Sequence, residues 1–230
     1  LGSMESARVA HGSLDGSRYV INRSRHAEVD GHLDFAVFER KSGDRCVMVR
    51  FSAHPTIYPE AMLDFSAEYP GALQRRVREK TGAECVYLGG AVGSMGPNPP
   101  VEGAPEEEVQ AMGGALGDMV VAALGDRLNW TDTVDVAGLV FTFGMPSIQA
   151  RPVSPFWRLS PFMARVFGVL PEGRAQVARI GDLLLCGMPY DFSGEVSVRW
   201  RTMAREKGYD LWVTSHSGAY LGYLSPDRYY

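Results

Sequence analysis

Four stretches of this chain end in residues able to do chemistry. Val47 to Pro55 reads Val-Met-Val-Arg-Phe-Ser-Ala-His-Pro, an apolar, β-branched run that ends on His54 and is stopped by Pro55. Glu84 to Leu88 empties into Gly89-Gly90-Ala91-Val92-Gly93-Ser94-Met95-Gly96-Pro97-Asn98, where Ser94 offers a hydroxyl. Leu183 to Gly187 ends in Met188-Pro189-Tyr190-Asp191, and Leu211 to Thr214 leads to His216 and Tyr220. A strand fixes its backbone, so a side chain at its tip has little freedom. If these strands share one sheet, the groups converge at one edge. Imidazole, carboxylate and phenol together suit zinc. Bound zinc lowers the pKa of its water to about 7 and polarises a carbonyl. A plainer reading stands beside this one: His54 caps a loop and Asp191 is an acid at a helix N-terminus. On spacing alone the plainer reading comes first, since no close-spaced ligand pair is present.

The glycine-rich loop has two further readings. Such strand-to-helix loops bind phosphates, but this one lacks a P-loop's Lys-Ser/Thr and the spacing of a dinucleotide fingerprint. Pro97-Asn98-Pro99-Pro100 also delays the helix that would present an anion site. Ser94 as a nucleophile has no base beside it in sequence and no elbow motif.

The elements that must hold these groups mix strands and helices. Leu33 to Glu39 and Arg45 to Ala53 form a hairpin around Lys41-Ser42-Gly43-Asp44. Pro70 to Lys80 reads as a helix with Leu73 and Val77 on one face, closed by Gly82. Pro105 to Leu124 is a longer helix with three acids at its start. Val134 to Phe143 is an apolar strand, and Pro146 to Pro171 is a proline- and aromatic-rich excursion, a lid or a packed loop. Ala175 to Ile180 and Leu183 to Gly187 make a second hairpin. Ser193 to Lys207 is a helix with Ser193 as its cap, and Leu211 to Thr214 is the last strand. Residues 1–32 read as polar and turn-rich, and no internal repeat is visible. The expected fold class is α/β, a layered α/β sandwich with a mixed β-sheet, as a single domain over residues 1–230.

The totals set outer bounds. In 230 residues the chain is 45% hydrophobic and 22% charged, the composition of a globular protein. A formal net charge of -4 gives no electrostatic case for nucleic acid. No apolar run approaches the roughly 20 residues of a transmembrane helix. Cys46, Cys85 and Cys186 are odd in number and sit in apolar runs, so they read as buried free thiols. That leans towards a reducing compartment such as the cytoplasm, with secreted and periplasmic locations left open.

In order along the chain, several short motifs resemble those of the neutral/alkaline non-lysosomal ceramidases, zinc amidases with an α/β catalytic domain. They are Ile21-Asn22-Arg23-Ser24, His54-Pro55-Thr56, Phe65 to Gly71, Gly93 to Asn98, Gly187 to Asp191, and Ala219-Tyr220-Leu221-Gly222-Tyr223. The resemblance implies a zinc-dependent hydrolase cutting an amide or related acyl bond with metal-activated water. It implies His54, Asp191 and Tyr220 as metal ligands and Arg23 as a donor to developing negative charge. Ser94 stands beside Arg23 as a candidate catalytic group, and Gly96 and Tyr223 as candidate substrate contacts. A small amide or a lipid-like molecule would be the substrate.

The departures define the alternative. The family's serine falls on Gly96, its glutamate is Asp191, and its upstream Thr-His-Xaa-His has no counterpart. The missing histidine points to an absent N-terminal portion, supplied by an upstream fragment or a second chain. The same departures fit a catalytically degenerate domain kept for binding or assembly.

Overall fold

The computed structural model describes residues 5–24, 28–125, 127–145 and 172–226, together with Phe162 and Val166. Its elements run β1 (Ala7–Asp15), β2 (Val20–Asn22), β3 (His32–Arg40), β4 (Arg45–Phe51), α1 (Glu68–Thr81), β5 (Glu84–Gly89), β6 (Met95–Pro97) and α2 (Pro105–Gly125). There follow β7 (Val136–Gly144), β8 (Glu172–Ile180), β9 (Leu183–Gly187), β10 (Asp191–Phe192), α3 (Gly194–Arg205), β11 (Asp210–Thr214) and β12 (Tyr223–Leu224).

The α/β sandwich is present, with its main strands in two four-stranded sheets. The first has the order β1-β3-β4-β5 and the second β11-β9-β8-β7. Both are mixed: two antiparallel pairs, then a parallel pair β4/β5 or β9/β11. Parallel neighbours need a crossover, and α1 and α3 supply the two. The strands that carry the candidate groups do not share one sheet: His54 and Ser94 follow strands of one, Asp191 and His216 strands of the other. A repeat invisible in the residues is also plain in the topology, since each half is an antiparallel run ending in a β-α-β unit.

Alternation along the strands decides which face packs where. Leu33, Phe35 and Val37 on β3, with Val47, Val49 and Phe51 on β4, lie in the core shared with Leu73 and Val77 of α1 and Met112, Leu116 and Val120 of α2. The opposite faces carry Ala36, Phe38 and Met48, which meet Leu183, Leu185 and Trp212 of the second sheet. Beyond that sheet, Ala175, Cys186 and Val213 pack with Phe192, Val196 and Trp200. All three cysteines are free and on strands; Cys85 and Cys186 are buried, while Cys46 is half-buried. Burial pushes the Cys85 thiol up to about 12, so it is inert.

Three local expectations change. Residues 7–15 form a nine-residue strand within the stretch read as turns. Its apolar alternation is weak because it is an edge strand, with Gly12 packed against the ring of Phe35. Helix α1 begins at Glu68, ahead of Pro70, with its first N–H bonded to Ser66 Oγ at 3.0 Å. Ser193 makes no side-chain cap on α3; Ser94 Oγ, from the other half, accepts the Gly194 N–H at 3.0 Å. The excursion at Pro146 to Pro171 lies outside the described residues except for Phe162 and Val166.

A buried ionic network joins the halves. Arg50 on β4 donates to Asp30 at 2.6 Å, Asp34 at 3.2 Å and the Val213 carbonyl at 3.0 Å. Arg201 on α3 reaches Asp34 at 2.7 Å, and Ser197 donates to Asp30 at 2.8 Å. Burial alone would raise the Asp30 carboxyl; the Arg50 guanidinium, with His32 adding, overrides it and holds Asp30 well below the usual range.

Candidate functional site

The carboxyl ends of both β-α-β units point to the same place, and the loops there are stitched together by backbone. His54 N–H bonds the Met95 carbonyl at 3.2 Å, tying the end of β4 to the glycine loop. Gly93 N–H bonds the Phe192 carbonyl at 2.9 Å. Its lack of a side chain is required, because a Cβ there would collide with the Asp191 carbonyl. Ser215, just past β11, donates its N–H to the Gly89 carbonyl at 3.1 Å. The tail beyond it folds back: His216 N–H to Tyr190 O at 3.2 Å, Leu221 N–H to Pro189 O at 2.7 Å, and Asp191 N–H to Gly222 O at 2.9 Å.

This stitching places three side chains around one carboxylate. Asp191 is buried. Its Oδ1 stands 2.7 Å from His216 Nε2 and 4.0 Å from His54 Nε2, and its Oδ2 accepts the Tyr220 phenol at 3.0 Å. The two imidazoles meet edge to face with centroids 6.3 Å apart, and the His216 and Tyr220 rings are 5.6 Å apart. Arg23, set just past β2 by the β2/β6 ladder, closes the group. Its guanidinium donates to Thr56 Oγ1, and a Cβ at Gly96 would collide with its Nε. Sequence reasoning therefore named three groups that do stand together, His54, Asp191 and Tyr220, with Arg23 on their flank.

The electrostatics follow the geometry. Burial pushes the His54 imidazole below its ordinary value; Arg23 and His216 push the same way, against the pull of Asp191. The shift favours the neutral ring. Its Nδ1 is buried without a formed hydrogen bond, although the Pro55 backbone slightly favours the protonated ring. The hydrogen bond to Asp191 raises the Tyr220 phenol, because ionising it would set two anions side by side.

The remaining candidates take other places. Ser94 is buried, 3.4 Å from Ser193 Oγ, and its hydroxyl accepts from the start of α3. Tyr223 is exposed and lies in register with Asp191 across the β10/β12 pair. The candidate metal set read from the sequence lacks His216, although its signal is there: a strand passing into Ser-His-Ser-Gly has the same form as the strand end at His54. Of the other described histidines, His11 pairs with Asp182 and His32 with Asp30, away from this site. A cleft of about 1010 Å³ lies elsewhere, lined by Arg40, Gly43, Arg45 and Gly82, and holds none of these groups.

The donor set fits zinc in kind: two imidazole nitrogens, a carboxylate and a phenol. Tetrahedral zinc with bonds of about 2.0–2.2 Å sets its donors about 3.3–3.6 Å apart. The separations of 2.7, 3.0 and 4.0 Å lie on either side of that range. The groups here bond to one another, and among the described residues no three His, Cys, Asp or Glu side chains form a ready-made metal site.

No protein-family model matches the chain, and no curated protein matches it in sequence. Solved structures do match in fold. The crystal structure of neutral ceramidase from Pseudomonas aeruginosa superposes with a TM-score of 0.72 at 16% identity, over 95% of this chain and 46% of that one. A ceramidase complexed with C2 gives 0.71 at 14% identity, over 95% and 48%. The chain therefore has a ceramidase-like fold and spans less than half the length of either protein.

Proposed function

We propose, from this ceramidase-like fold, that the chain is a zinc-dependent hydrolase of an amide or related acyl bond. The observation that carries the reading is the meeting of His54, Asp191 and Tyr220 at the joined carboxyl ends of two β-α-β units. These three residues would hold the metal. Zinc bound there would supply an acidified water and a Lewis acid for the acyl carbonyl.

The chain's own residues supply the rest. His54 Nε2 is the ring nitrogen that faces Asp191 Oδ1, at 4.0 Å. The Arg23 guanidinium lies over Gly96 and can donate to the oxygen that gains charge as the carbonyl is attacked. Gly96 leaves that guanidinium its space. Leu63 and Phe65 are fully exposed on the loop that leads away from His54, and a concavity of about 280 Å³ opens there among Thr56, Tyr58, Met62 and Glu68. A lipid-like acyl chain matches such a surface.

The test is turnover of N-acyl amides, ceramides included, by zinc-loaded protein. Hydrolysis should vanish on chelation and return with zinc, and Arg23→Ala should lower kcat about 10²–10³-fold. Zinc-loaded protein that hydrolyses no acyl amide or ester would overturn the reading and leave the binding domain. That alternative draws on Gly96, which carries no nucleophile.

A further inference from the structure

We propose that His216 supplies the second imidazole of the metal site. The inference rests on the zinc reading above and names a ligand that reading does not include. Three observations carry it. His216 Nε2 is 2.7 Å from Asp191 Oδ1, and His54 Nε2 approaches the same oxygen at 4.0 Å, so two imidazoles from different sheets aim at one carboxylate. The His54 and Tyr220 rings flank the His216 ring, at 6.3 and 5.6 Å. His216 also holds a φ of 55°, a left-handed conformation uncommon in residues with a side chain and one that histidine enters more readily than most.

The backbone explains how the ring arrives. Ser215 is fastened to Gly89 on one side, and its Oγ accepts the Phe192 N–H at 3.2 Å on the other. Residue 216 then turns left-handed, with its N–H on the Tyr190 carbonyl. A glycine would make this turn at lower cost. The histidine there puts an imidazole beside the carboxylate. With His54, Asp191 and Tyr220 it completes four donors from this chain alone, with no need of a second chain's histidine.

The same backbone supplies a clean variant. His216→Gly removes the ring at a position whose φ suits glycine, so folding is retained and a ring-sized space opens. Zinc affinity is read by chelator competition, and the ligand set by the visible spectrum of the cobalt-substituted protein. The expected result is a loss of zinc affinity of at least about 100-fold, altered cobalt bands, and recovery of both on adding free imidazole. Wild-type protein that binds no zinc overturns the zinc reading and this inference with it. Wild-type binding with unchanged affinity in His216→Gly overturns the inference alone. A loss of affinity with unchanged cobalt bands and no rescue by imidazole also overturns it, because His216 would then act only by orienting Asp191.

Discussion

The two β-α-β units share a topology and divide the work. In the first, β4-α1-β5, the strand ends contribute His54 and a loop whose glycines let backbones touch. In the second, β9-α3-β11, they contribute Asp191, His216 and the tail that carries Tyr220. One unit supplies close approach and the other supplies most of the donors. Their packing differs as well. The first sheet is backed by α1 and α2 over a continuous apolar core. The second ends at β7, where Val136, Leu139, Val140 and Phe141 are exposed. The topology brings four loops to one place, and the residues placed on those loops decide whether chemistry follows.

The joint between the halves carries the largest expected effect. Arg50→Ala leaves Asp30 and Asp34 buried against fewer partners, so urea unfolding should show a loss of about 3–5 kcal/mol. Gly93→Ala should cost about 1–3 kcal/mol, since the new methyl meets the Asp191 backbone, which cannot swing aside. Gly96→Ser is the contrasting case. The nearest atoms a Cβ there would meet belong to the flexible, exposed Arg23 side chain, so the same measurement should move by under about 1 kcal/mol while any Arg23-dependent activity falls.

Acid tests the same joint. The folded-state value of Asp30 lies well below its ordinary 3.8, so its contribution to stability is full above that value and fades as pH falls below it. The urea midpoint should hold between pH 7 and 5 and drop below about pH 4, and Asp30→Asn should flatten the drop. Ser94→Ala, which removes an acceptor at the start of α3, should cost about 1 kcal/mol. Thermal melts would register it, and a loss of all activity in a folded Ser94→Ala protein would give that hydroxyl a chemical role instead.

Much of this was legible along the chain. The hairpins, the α1 and α2 faces and the strand ends at His54 and Asp191 follow local periodicity and turn residues, which act over a few positions. The first strand was hidden because an edge strand buries too little to alternate clearly. The Arg50 network was hidden because Arg50, Asp30 and Arg201 look like ordinary surface charges until a fold removes water from around them.

An α/β layered fold, and strand ends bearing an imidazole, a carboxylate and a phenol, can be read from the residues alone. That these ends belong to two sheets and still meet, that His216 stands among them, and that Ser94 caps a helix of the other half emerge from the folded chain. The reason is range. Periodicity and turn chemistry read neighbours in sequence. A 2.7 Å contact between residues 25 positions apart is set by backbone hydrogen bonds joining separate loops, and no local pattern encodes those.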